Sequence, residues 1–187
     1  MNNFQIIILL TFIPILAFSQ QILVWDNDNN SQLIHHETGD TVGCEYAIQE
    51  ALIESEINFT TLDYLPEDLS EYDVIFTILG IYCLGWNITP PGTVGSVEQQ
   101  ALIDFLEDGK ALYIEGSNVG LDHSHGNLWD YFGCNYEDDG EIYAITKIYG
   151  INETFAAVAK FDFPYDDNAD YLVDEFTAEE GTLFLKC

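Results

Sequence analysis

The chain has 187 residues, with 33 acidic and 4 basic side chains and a formal net charge of −29 when the histidines are neutral. Four lysines without an arginine cannot neutralise a run of phosphates, which argues against nucleic acid and anionic lipid as partners. A hydrophobic share of 48% still suffices to bury a core, and the length suggests one domain.

Residues 6–18 form an apolar run too short to span a bilayer, followed by the small-residue pair Ala17-x-Ser19. This pattern predicts a signal peptide over 1–19, although Met1-Asn2-Asn3 lacks the usual base and Pro14 interrupts the run. The expectation is an exported, secreted or cell-surface protein whose mature domain, 20–187, has no transmembrane span.

Residues 21–25 then read as a buried strand that stops at the turn formers of 26–31. Ala47, Ile48, Ala51 and Leu52 recur at helical spacing, predicting a helix over 44–56. Strands follow over 58–62 and 72–79, the second apolar enough to be buried on both faces. Pro90-Pro91-Gly92 makes 83–95 a loop. Ser96 is the predicted N-cap of a second helix, with Gln99 in the capping-box position and Gly109 closing it, before a fourth strand over 110–115. This order predicts an α/β sandwich with a mostly parallel sheet. Beyond Gly116 the pattern is less regular, with a short helix over 128–132 and strands over 141–149 and 182–185. The chain stops at Cys187 within an apparent strand, so a fragment of a longer protein is expected.

Ligands of open parallel sheets bind beyond the carboxyl ends of the strands. After the first strand, Asp26, Asp28, Asn30 and Glu37 fall at positions one, three, five and twelve of a calcium-loop pattern, with Ser31 where glycine is wanted. The oxygen donors suit Ca2+; the alternative is a solvated acidic loop. His35-His36 reads as exposed polar loop.

After the fourth strand, Glu115, Asn118, Asp122, His123 and His125 fall within eleven residues. Ser117 is no nucleophile elbow, because Glu115 and Val119 stand where flanking glycines are needed. Asp122, His123 and His125 offer mixed oxygen and nitrogen donors for a metal, while a Gly-rich turn ending in a polar surface loop is the plainer reading. Two carboxylates and a histidine at this cleft would suit a hydrolase acting on carbohydrate or peptide.

Cys83 lacks any nearby base to lower its pKa, which disfavours a catalytic thiolate. Export instead favours disulfides, and the placement of Cys44 and Cys83 at the carboxyl edge of neighbouring strands predicts that they pair, with Cys134 and Cys187 paired or free. Phe161, Phe163 and Tyr165 alternate as the inward face of a strand would.

The strand followed by Gly116-x-x-x-Gly120 resembles the nucleophile turn of class I glutamine amidotransferase-like domains, with Asn118 standing where that family has cysteine. An amide cannot form a thioester, so the resemblance implies a flavodoxin-like domain without amidotransfer. The stretches at 22–28, 43–48, 69–76 and 109–116 are similar to modules of large secreted bacterial proteins, often those with a C-terminal type IX secretion sorting domain. That likeness implies a non-catalytic binding or structural module, whose partners are other domains of the same protein or an extracellular ligand. A secreted hydrolase and a calcium-dependent adhesion module are the alternatives.

Overall fold

The computed structural model describes residues 20–35, 37–81, 92–140, 145–162, 173–183 and 185–186. In chain order its elements are β1 (Ile22–Asp26), β2 (Gln32–Ile34), β3 (Thr41–Gly43), α1 (Tyr46–Glu54), β4 (Phe59–Leu62), β5 (Val74–Ile78), α2 (Ser96–Glu107), β6 (Ala111–Glu115) and α3 (Val119–His123). A 3-10 turn over Asn127–Tyr131 follows, then β7 (Cys134–Asp138), β8 (Lys147–Gly150), β9 (Lys160–Asp162), β10 (Glu175–Ala178) and β11 (Leu185–Lys186). The predicted signal peptide, His36, Cys83 and Cys187 lie outside the described residues, as do Phe163 and Tyr165.

Four strands form a parallel sheet in the order β4-β1-β5-β6, giving the expected α/β sandwich of flavodoxin-like order. Strand alternation divides its side chains between two cores. Ile22, Val24 and Ile78 pack on one face with Leu52 of α1. Leu23, Trp25, Ile75 and Leu79 pack on the other with Leu102, Ile103 and Phe105 of α2 and with Trp129. Apolar spacing explains both helices: Ile48 and Leu52 are one turn apart on α1, and α2 turns Leu102, Ile103 and Phe105 inward.

Residues 63–73, between β4 and β5, form no helix, yet Leu65, Leu69 and Tyr72 from this crossover pack into the larger core. Lys110 secures it by donating from Nζ to the carbonyls of Leu69 and Ser70, at 3.0 and 2.9 Å.

Several local expectations need correction. Ser96 is the first residue of α2 and Gly95 its N-cap, so the capping box does not form; Gln99 Nε2 instead donates to the Val94 carbonyl at 3.0 Å. Gly109 does end that helix, at φ +79°. The loop after β1 contains the hairpin β2–β3. The stretch after Asn118 forms α3 instead of a surface loop, because Val119 and His123, one turn apart, are both buried.

The C-terminal strands pair antiparallel, as β10-β7 and β11-β8-β9. Lys160–Asp162 is indeed a strand, but Phe161 is 53% exposed and does not face inward.

Candidate functional site

The chain leaves β1 for β4 on one side and returns to β5 on the other, which makes the β1–β5 boundary the switch point where open sheets hold ligands. Asp26, Ile78 and Glu115 are in register at the carboxyl ends of β1, β5 and β6. Two arrangements are built on this edge.

The first is a group of three carboxylates. One oxygen each from Asp26, Asp28 and Glu45 lies within 4.8 Å of the others. Asp28 is 2% exposed and is fixed by the backbone N–H groups of Ser31 and Cys44, at 3.1 and 3.4 Å. Gly80 allows the loop after β5 to close on it: a Cβ there would meet Asp28 Cβ at 2.9 Å, and its φ of +81° suits glycine. Asp26 Oδ1 and Glu45 Oε2 are enclosed and accept no hydrogen bond among the described residues. Burial, then repulsion from Asp28 and Glu45, pushes the Asp26 carboxyl up to about 7.

This group keeps Asp26 and Asp28 from the calcium-loop pattern but replaces its other members. Glu37 lies in the turn at the far end of the β2–β3 hairpin and Asn30 is exposed, whereas Gly43, opposite Gln32 at the hairpin's base, returns the chain to Glu45. All three donors are carboxylate oxygens, which suit a hard divalent cation. His35 packs edge-on against Tyr46 at 5.4 Å and accepts from the Thr38 backbone N–H, so it organises the hairpin turn.

The second arrangement is a cavity of about 730 Å³ above the turn between β6 and α3. Gly116 permits that turn by pressing against the residues that follow β5, where a Cβ would come within 2.7 Å of Leu79 Cβ. Ser117 N–H donates to the Gly80 carbonyl at 2.8 Å, and Asn118 follows at φ +60°, ψ +23°, a left-handed conformation that asparagine tolerates. Trp129, Phe132 and Phe176 supply aromatic lining, and Glu115 and Asp174 supply acid. Trp129 is held by its Nε1 donating to the Cys134 carbonyl at 2.8 Å, with its ring 5.5 Å from Phe132 and 5.6 Å from Phe176. Asp174 Oδ2 accepts the Gly120 N–H at 2.7 Å, tying the C-terminal segment to α3.

Glu115 Oε2 accepts the Tyr113 hydroxyl at 2.6 Å. Burial pushes the Glu115 carboxyl up, while that hydrogen bond favours the charged form. Its hydrogen-bond partner is therefore a phenol, where acid–base chemistry would want a histidine.

Of the five clustered candidates, Glu115 and Asn118 line the cavity, whereas Asp122, His123 and His125 do not. Asp122 and His125 are exposed. His123 is 8% exposed, its Nε2 enclosed without a partner among the described residues, and burial pushes its imidazole down despite the opposing charge of Asp122. Cys44 and Cys134 both line the cavity, and burial pushes the Cys134 thiol up. The expected Cys44–Cys83 bridge falls outside the described residues because Cys83 does. Glu45, Trp129, Phe176 and Asp174 are not among the sequence-predicted site residues; only Glu45, at the entry to α1, carried a local signal.

Among the described residues, no helix is long and apolar enough to cross a membrane. No family model, curated protein or solved structure matches the chain.

Proposed function

We propose that the protein is an exported, non-catalytic binding module of a larger secreted or cell-surface protein, with its ligand site in the cavity at the carboxyl edge of the sheet. The observation that carries this reading is Asn118. It occupies the left-handed residue of a strand–turn–helix corner in the cavity wall, where amidotransferase-like domains, which this chain resembles, carry their nucleophile. An amide there can donate and accept hydrogen bonds but cannot attack a carbonyl. The histidines of the cluster lie outside the lining, which also disfavours the hydrolase alternative.

The test is to express the full chain in a secreting bacterial host and study the exported product. Loss of residues 1–19 is expected by mass. A neutral aromatic probe, 2-phenylethanol, should bind with unit stoichiometry by calorimetry and perturb tryptophan fluorescence through Trp129. Chromogenic esters, peptides and glycosides should not turn over. Turnover that disappears in Glu115→Gln would overturn the reading in favour of the hydrolase.

A second reading has its own observation, the enclosed, unbonded oxygens of Asp26 and Glu45 beside Asp28. On this reading a calcium ion bound at the three carboxylates stabilises the module. Calcium should then raise the unfolding midpoint above a sodium chloride control of equal ionic strength. Equal responses to both salts would mean charge screening alone.

A further inference from the structure

The geometry points to a small organic cation with an aromatic or apolar body as the ligand of this cavity. The inference rests on the binding-module reading and names the chemistry that such a site would select.

Among the described residues, the lining contains two carboxylates, Glu115 and Asp174, and no lysine, arginine or histidine. Asp174 is already engaged by the Gly120 N–H. Glu115 is oriented by Tyr113 on the same strand and stands at the end of β6, in register with Ile78 and, beyond it, Asp26. The carboxylates of Asp26, Asp28 and Glu45 belong to this same edge of the sheet, so the field there is negative on a second side.

The three lysines whose side chains are described are all engaged elsewhere. Lys110 holds two carbonyls of the crossover, Lys147 pairs with Asp162, and Lys160 stands over the Tyr149 ring. A ligand bearing a carboxylate or phosphate therefore meets repulsion without a compensating partner, and a zwitterion carries the same penalty on one of its ends. An ammonium meets Glu115, which already accepts the Tyr113 hydroxyl but carries no described cationic partner.

The aromatic wall strengthens the discrimination. Trp129, Phe132 and Phe176 line the cavity with aromatic rings, a surface of the kind that attracts a cation and buries the hydrocarbon attached to it. The volume of about 730 Å³ lies in the range of small-ligand sites. Aromatic wall and carboxylate together describe a receptor for an amine of the arylalkyl type.

The experiment compares three probes of one shape with the exported full chain at fixed ionic strength: 2-phenylethylamine, 2-phenylethanol and phenylacetate, titrated by calorimetry at pH 7.5. The amine is expected to bind about tenfold tighter than the alcohol, with the acid weakest, from one ion pair in a partly desolvated site. Glu115→Gln keeps an acceptor for the Tyr113 hydroxyl and should bring amine and alcohol to within about twofold of each other. Phe176→Leu should weaken all three probes together, and circular dichroism checks that both variants are folded.

Equal binding of amine and alcohol by the wild-type protein would overturn the cation inference and leave the binding module standing. An amine preference that survives Glu115→Gln would overturn the assignment of Glu115. Failure of every probe to bind would overturn the binding-module reading itself.

Discussion

The parallel sheet and the antiparallel strands that follow it both carry apolar residues, the parallel strands the larger share, and bury them very differently. Leu23, Val24, Ile75 and Ile78 are wholly enclosed, whereas β10 is exposed throughout, and Phe155 and Val158 beyond β8 are 84% and 95% exposed. The parallel strands carry a helix on each face. Among the described residues, the antiparallel groups have two or three strands, and only β7 and β10 send side chains toward the core, through Cys134, Tyr136 and Phe176. Burial among the described residues is thus concentrated before about 135, and the C-terminal strands meet that body through the contacts named above.

The sharpest way to break the comparison is to truncate one apolar side chain to alanine in each region. Leu23→Ala or Ile75→Ala should destabilise by about 3–4 kcal/mol in urea unfolding, the cost of a cavity in a sealed core. Val158→Ala should stay within about 0.5 kcal/mol, as exposed sites do. A similar loss at Val158 would mean that the C-terminal strands have a core of their own.

Phe176→Ala tests the seam between the regions. Its ring lies 5.6 Å from Trp129 and 6.2 Å from Tyr136. Its removal should cost about 1–2 kcal/mol and accelerate hydrogen exchange in β7 and β10 while leaving β1 and β5 protected.

A smaller effect of opposite sign is expected at the acidic edge. Asp26→Asn relieves repulsion from Asp28 and Glu45 and should stabilise the calcium-free protein by roughly 1 kcal/mol after allowance for solvent screening. The same change should abolish the calcium-specific rise in midpoint, and unfolding scans with chelator and with calcium measure both.

The smallest effect is a pH dependence at His123. Its folded pKa lies below the unfolded value of 6.5, so the unfolded chain takes up the proton first and stability falls as pH drops through 6.5. Overall charge also changes over that range. The difference in unfolding free energy between wild type and His123→Gln isolates the histidine, and it should shift against the wild type between pH 7.5 and 5.5.

Periodicity made the α/β half legible. β1 and β5 announced themselves as largely apolar runs, and α1 and α2 as four-residue spacings closed by turn residues. Gly116, Asn118 and Glu115 were likewise readable, since a strand running into a glycine pair marks a corner whatever its chemistry. The metal-type cluster was only half readable: a linear twelve-residue pattern cannot anticipate a hairpin that carries Glu37 away and brings Glu45 in. The aromatic wall was hidden for a related reason. Trp129 and Phe176 meet across long sequence separation, and no local spacing encodes that contact. The antiparallel strands were least legible because their exposed faces lack clear alternation between apolar and polar positions.

The four lysines make one last consequence concrete. Trypsin cuts after lysine or arginine, so this chain offers it four bonds in all, after Lys110, Lys147, Lys160 and Lys186. Lys110 precedes β6, where its ammonium is clasped by two carbonyls, while Lys147, Lys160 and Lys186 all belong to the three strands β8, β9 and β11. The protease is therefore a ready-made gauge of regional opening. Fragments ending at Lys147 or Lys160 record loosening of the late strands, and a fragment ending at Lys110 records rupture of the parallel sheet itself.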